Sequence, residues 1–273
     1  MKNSIKYYYG INVSNLEQKE DNYFFDNYIL RPCYKYIDID LYNYLIANNY
    51  YLHKIIYNQN NEYITMISNK PYILLKIEKK HQLSLDYIKK YNIIFKYKKN
   101  PSWSILWENK IDFYEKNIAN VKDEKIYNSF NYFVGISENA IKIFKTLNLD
   151  NNFSLCHIRF NHDFEFYDPL NIVVDYKERD IAEYIKKEFY YNNKYYLDTI
   201  RDMVRTDNYN NVMLFFVRML YPSIYFDQYD NYIKNEDVDY TFYNKIESYD
   251  QYLKEIYHII KKKYNTLSIS WLE

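Results

Sequence analysis

The side chains best suited to chemistry gather in one stretch, Phe153 to Asp180. It holds Cys156, His157, Arg159, His162, Asp163, Asp168, Asp175, Arg179 and Asp180, whereas three of the five histidines lie elsewhere. Three kinds of chemistry compete for them. Cys156, His157, His162, Asp163 and Asp168 are donors of the types zinc takes, but adjacent strand residues point to opposite faces and the spacing fits no short metal motif. No second cluster completes four ligands, so no metal is expected. Cys156 and His157 fail as a nucleophile and base for the same reason, since sequence neighbours on a strand face apart. In the third reading, Arg159, Asp175, Arg179 and Asp180 form buried or half-buried ion pairs that brace a hairpin against the helix beginning at Arg179.

Two strand-like runs, Phe153 to Phe160 and Leu170 to Asp175, must position this cluster. They interrupt a chain that otherwise reads as helix from His81 onward. Apolar residues recur at three or four over Ser84 to Tyr97, Trp103 to Ile118, Glu124 to Leu147, Arg179 to Tyr191, Tyr195 to Val204, Val212 to Ile233 and Tyr249 to Tyr264. The first 77 residues differ. Tyr23 to Leu30, Tyr63 to Ile67 and Tyr72 to Ile77 are aromatic and β-branched, with Asn60-Asn61 and Asn69-Lys70-Pro71 as turns. Gly10 ends an earlier strand-like segment, and Asp40 to Asn48 reads as a helix capped by its aspartate. The expectation is an α+β protein of two lobes: an antiparallel sheet lobe over 1–77, and a helical lobe over 78–273 with a catalytic-type hairpin near 153–176. That is the architecture of a two-lobed kinase.

Composition narrows the function. The 273 residues carry 36 basic and 36 acidic side chains, so no net field holds the chain on nucleic acid or on an anionic membrane. No apolar run reaches the length of a membrane span, and Val212 to Leu220 is broken by Arg218. Met1 to Tyr9 lacks the apolar core of a signal peptide, so the chain is expected to stay where it is made. Cys33 and Cys156 lie far apart and are expected as free thiols. The 38 Tyr and 2 Gly, with heavy use of Asn, Ile and Lys, follow codons rich in A and T, which strips tyrosine or lysine clusters of functional meaning. The eight lysines from Lys76 to Lys99 are read as a solvated face, as is the acidic stretch from Asp227 to Asp250.

Longer strings carry a resemblance. SLCHIRF (Ser154 to Phe160), VVDYKERDIAEYI (Val173 to Ile185) and RMLYPSIYFDQYDNYI (Arg218 to Ile233) resemble the YutH-type family of spore-coat-associated proteins from Gram-positive bacteria. WENKIDFYE (Trp107 to Glu115), NYFVGISENAI (Asn131 to Ile141), YYYGI (Tyr7 to Ile11) and KPYILLKI (Lys70 to Ile77) extend it along most of the chain. That family in turn resembles aminoglycoside phosphotransferases and choline kinases.

The resemblance implies a degraded phosphotransferase site. Active members carry His-Gly-Asp in the catalytic loop, the Asp accepting the hydroxyl proton; the matching positions are His157, Ile158 and Arg159. A guanidinium cannot act as that base. Asn161 falls too early for the magnesium-binding asparagine, which has no counterpart on this reading. Asp175 matches the magnesium-binding acid and Arg179-Asp180-Ile181-Ala182 the element after it, although the interval between them is short. Phosphate loops need glycine, and only Gly10 and Gly135 exist; neither Lys76 nor Arg31 aligns with the kinase lysine. The expectation is a pseudokinase without catalytic residues or an obligatory cofactor, retaining at most weak ATP and Mg2+ binding at Asp175. It would act with other coat or cytoplasmic proteins. The alternative is an active ATP-dependent small-molecule phosphotransferase with a displaced acid, Asp163 or Asp168; a nucleotide-binding scaffold without turnover lies between the two.

Overall fold

A computed structural model describes residues 1–19, 21–34, 37–48, 50–77, 83–91, 94–96, 103–150, 152–160, 163–265 and 268–273. The expected joint at 78–82, and with it part of the basic run, lies outside the described residues. Internal packing divides the chain into two units, Met1–Ser84 with His157–Val173, and Leu85–Cys156 with Val174–Glu273.

The first unit contains α1 (Lys2–Tyr9), β1 (Glu17–Lys19), β2 (Asn22–Phe25), β3 (Tyr28–Pro32), α2 (Ile39–Ala47), β4 (Lys54–Ile56), β5 (Thr65–Ile67) and β6 (Lys70–Lys76). The strands form one antiparallel sheet in the order β1-β2-β3-β6-β4, with β5 also on β6. Strand β6 is its spine, its Leu74 opposite Leu30 of β3 and Ile56 of β4. The tight turns manage without glycine: Asp26, Ser68 and Asn69 adopt positive φ, which the short polar side chains of Asp and Asn tolerate. Ile5, Phe25, Leu30, Ile67, Tyr72 and Leu74 form a core on this sheet.

Two expectations change here. The N-terminal segment is a helix, not a strand. Ile5 is buried and Met1, Tyr8 and Tyr9 pack on the same cluster, a spacing of three to four that outweighs the strand preference of tyrosine. Gly10 closes that helix with φ 70, its N–H donating to Lys6 O, the left-handed C-terminal position that suits glycine. Helix α2 is capped by Asp38, whose carboxylate accepts from Leu41 N at 2.9 Å, rather than by Asp40.

The second unit holds α3 (Leu85–Tyr91), β7 (Ile94–Lys96), α4 (Trp103–Asn117), α5 (Glu124–Thr146), β8 (Asn152–His157), β9 (Ile172–Asp175), α6 (Glu178–Asn192), α7 (Leu197–Thr206), α8 (Tyr209–Leu220), α9 (Ser223–Ile233), α10 (Thr241–Asn244) and α11 (Ile246–Lys263). Strands β8 and β9 begin and end, respectively, in this unit and lead into and out of the His157–Val173 segment. Helix α8 is the buried axis, packed by α5, α6 and α11, and every residue from Val212 to Leu220 is buried.

The periodicity overran twice. The helix expected over Ser84 to Tyr97 stops at Tyr91, and Ile94–Lys96 becomes a strand antiparallel to β8. The helix expected over Val212 to Ile233 is two helices broken at Tyr221-Pro222, because proline has no N–H for the ladder and disfavours helix in the residue before it. Both cysteines are buried, and no disulfide joins them. No described helix is long and apolar enough to cross a membrane.

Candidate functional site

The first unit supplies the loop after β8. His157 is buried, donates from Nε2 to Phe166 O at 2.8 Å and stacks on the Phe166 ring at 4.3 Å. Asn171 ties the two limbs of the loop together. Its Oδ1 accepts from Arg159 N at 3.1 Å, and its Nδ2 donates to Arg159 O at 2.7 Å and Glu165 O at 3.0 Å. Ile158 N donates to Asn171 O at 2.8 Å, and Arg159 Nη1 donates to the Ile158 carbonyl. His53 holds the middle of the loop, its Nε2 donating to Phe164 O and its N–H to Tyr167 O.

Asp168 has no exposed surface. One carboxylate oxygen forms an ion pair with Arg31 of β3, and the other accepts from Leu170 N at 2.8 Å, capping the short 3-10 turn Pro169–Asn171. Asn161 and His162 lie outside the described residues, as does the side chain of Asp163.

The second unit supplies Asp175, the last residue of β9, also with no exposed surface. Its Oδ2 accepts from Arg179 Nη1 at 2.9 Å and from Arg218 Nη2, and its Oδ1 from Tyr176 N at 2.7 Å. Arg179 is the second residue of α6 and reaches back four positions to the end of β9. Arg218 comes from α8. Its guanidinium lies 4.7 Å from the Trp103 ring centre and 4.8 Å from that of Trp107, and Arg179 lies 4.8 Å from Trp103. Burial pulls the pKa of Arg218 down from the usual arginine range while Asp175 opposes the shift.

The neighbours complete a dry, charged interior. Burial, then the charges of Asp180 and Asp175, push the Cys156 thiol well above the ordinary range, so it is an inert thiol that donates toward Tyr176 O at 3.3 Å. Glu178 is 3% exposed, its Oε1 has no hydrogen-bond partner among the described residues, and Lys177 Nζ lies 3.9 Å away. Burial raises its pKa to about 7. Asp180 is buried in the first turn of α6, with Ile181, Tyr184, Ile185 and Phe189 buried alongside.

Of Arg159, Asp175, Arg179 and Asp180, the four residues expected to brace the hairpin, Asp175 and Arg179 pair with each other. Two residues of the site, Arg218 beside Asp175 and Asn171 in the loop, were missed. Arg218 stood out in the sequence only as a charge inside an apolar run, yet a cation on a buried helix must find a carboxylate, and that requirement was the available signal. Asn171 was missed; the usable signal is an asparagine directly before an apolar strand that ends in aspartate. No group of three or more possible metal ligands exists among the described residues.

One unit with a five-strand antiparallel path and one that is mainly helical, with an asparagine and an aspartate on the segment around β9, define a kinase-like fold of the aminoglycoside phosphotransferase type. Solved structures agree. An aminoglycoside phosphotransferase from Alicyclobacillus acidocaldarius superposes over 98% of this chain and 97% of its own, with a TM-score of 0.56 at 6% identity. Spectinomycin phosphotransferase APH(9)-Ia, with ADP and spectinomycin, covers 95% of this chain and 96% of its own, at 0.53 and 14% identity. Within that class, residues 2–267 match the family described as "Spore coat putative kinase YutH", and the chain belongs to that family. The endospore coat-associated protein YutH of Bacillus subtilis (strain 168) is 24% identical over 207 residues, 62% of this chain. The chain spans 61% of the length of that curated relative.

Proposed function

We propose that the chain is a catalytically inactive pseudokinase that serves as a structural or interaction protein of the spore coat, working with other coat proteins. Asp175 carries the reading. In active kinase folds the acid at this position holds magnesium, and an Asp in the preceding loop takes the proton of the attacking hydroxyl. Here Asp175 is buried and shared by Arg179 and Arg218. Magnesium keeps several waters and near-octahedral geometry, and a carboxylate already accepting from two guanidinium groups and a backbone N–H does not fit it.

The remaining positions support the same reading. Arg159 is a permanent cation where a base is needed. Asn171 directs both ends of its amide to backbone groups of the loop. Arg31 of β3, a cation that could in principle reach a phosphate, pairs with Asp168 instead. That pairing also occupies Asp168, one of the two displaced acids, with Asp163, that an active phosphotransferase could use.

Two experiments test the proposal. Purified protein with ATP and magnesium is expected to transfer no phosphoryl group to water, small alcohols, amino sugars or itself. A fluorescent fusion produced in a sporulating host is expected to collect at the coat, and Arg159→Ala to collect equally well. Turnover by the wild type that Arg159→Ala abolishes would overturn the pseudokinase reading, and a fusion that stays diffuse through sporulation would overturn the coat role.

A further inference from the structure

A second buried ion pair sits at the break between α8 and α9 in the second unit. Lys186 Nζ of α6 donates to Glu183 Oε1 on the same helix at 2.7 Å, to the carbonyl of Tyr221 at 3.2 Å and to Ser223 Oγ at 2.6 Å. The Ser223 hydroxyl in turn donates to Glu183 Oε2 at 2.9 Å. Lys186, Glu183 and Ser223 are 1%, 7% and 2% exposed, so solvent screens the pair little.

Proline creates the place for this pair. Pro222 brings no N–H, so α8 ends at Leu220 and α9 restarts at Ser223, which leaves open carbonyls at one helix end and open N–H groups at the other. The start of α9 has no side-chain cap and no acidic residue in its first turn. Glu183 sets a carboxylate beside that start through Ser223, and Lys186 sets an ammonium on the carbonyl of Tyr221, the residue that closes α8. Each charge has the sign its helix end favours, an anion at an N-terminus and a cation at a C-terminus. Elsewhere along its length α9 is fastened to α4 and α5. Asp230 accepts from Tyr114 Oη at 2.5 Å and from Lys110 Nζ at 3.1 Å, and Tyr225 Oη donates to Ile126 O at 3.0 Å.

We propose that the Tyr221-Pro222 break is a hinge for α9, and that the Glu183–Lys186–Ser223 cluster is the clasp that holds it shut against α6. Hinges fall at the ends of elements, where a few residues absorb the backbone change, and this clasp bonds to both sides of the break at once. A buried ion pair often adds little net stability over apolar side chains of the same volume. What this one adds is direction, since only this order of charges suits both helix ends. With the clasp released, α9 separates from α6 while α6 and α8 stay packed on each other. This holds whether or not the chain transfers phosphoryl groups.

Hydrogen exchange of the full chain under native conditions, read peptide by peptide, tests the hinge. Ser223→Ala removes the hydroxyl that joins both charges to α9. Its α9 amides should exchange at least about tenfold faster, as for a local opening, with α7 and α11 unchanged. Glu183→Lys with Lys186→Glu keeps an ion pair on α6 but reverses it against both helix ends, and should also speed α9 exchange at least about tenfold. Circular dichroism and melting temperature show whether each variant folds; should the reversed pair not fold, Ser223→Ala decides alone. Exchange in α9 of Ser223→Ala at the wild-type rate overturns the inference. So does faster exchange spread equally over α7 and α11, which is general loosening, and so does a reversed pair that protects α9 as well as the wild type.

Discussion

Asp168 and Asp175 are both carboxylates without exposed surface, and arginine holds each, yet the two are held in opposite ways. Asp168 meets one guanidinium, Arg31, whose side chain keeps 22% of its surface in solvent. Its other oxygen caps a short turn. Asp175 meets two guanidinium groups, 6% and 4% exposed, lying against Trp103 and Trp107. The first is a latch at a surface and the second is an interior keystone. Water can take over much of the work of a latch; a carboxylate shared by two buried cations is far harder to replace in a low-dielectric interior.

The largest effect should follow from removing that anion. Asp175→Ala is expected to cost about 3–5 kcal/mol in denaturant unfolding, the range for removing one partner of a buried ion pair. Asp180→Ala should fall in the same range of about 3–5 kcal/mol, since Asp180 is 4% exposed. A loss under about 1 kcal/mol for Asp175→Ala, the range of surface pairs, would erase the distinction between keystone and latch.

Glu178 sharpens the same contrast through pH. Its folded pKa, about 7, lies above the ordinary carboxylate value, so the folded state holds a proton that the unfolded chain releases. Stability from this group is complete below about pH 4.5 and is lost as pH rises through about 7. The loss amounts to about 3 kcal/mol from the size of the shift. Glu178→Gln cannot ionise. It should melt like the wild type near pH 5 and distinctly higher near pH 8, and two parallel melting curves across that interval would sink the assignment.

The latch should give a smaller and more local response. Arg31→Met leaves Asp168 with the Leu170 N–H and is expected to cost about 1–3 kcal/mol, discounted for the exposure of Arg31. The Leu170 amide and its neighbours should exchange faster with solvent while α8 stays protected. Loosening that spreads to α8 would make Asp168 a keystone as well.

The sequence was legible where one local pattern decided the outcome. The strand Tyr72 to Ile77, the helix from Glu124 and the reach of Arg179 to Asp175 follow from neighbours in the chain, whereas Tyr23 to Leu30, read as one run, is two antiparallel strands around a turn at Asp26-Asn27. It was illegible where distant residues decided. Arg218 reaches Asp175 across 43 positions and Arg31 reaches Asp168 across 137, and no spacing rule links such pairs. Tyrosine misled in another way. In this chain it fills helices and strands alike, so Lys2–Tyr9 read as a strand until its buried side, with Ile5 at the centre, came into view.

The smallest effect expected is that of nucleotide, and it bears on the comparison from the ligand side. If Asp175 is a keystone, magnesium gains nothing by approaching it, and ATP with magnesium should leave the melting temperature where it is. A ligand that binds only the folded state stabilises by RT ln(1 + [L]/Kd), about 0.4 kcal/mol when its concentration equals Kd. A melting series carried to millimolar ATP therefore detects millimolar affinity. A rise that needs magnesium would mean that a metal competes with Arg179 and Arg218 for Asp175. A rise without magnesium would locate phosphate recognition on cations elsewhere and leave the keystone intact. Phosphoryl transfer is the stricter readout: turnover lost in both Arg159→Ala and Asp175→Ala would restore the kinase, whereas turnover indifferent to both would trace to a contaminating enzyme.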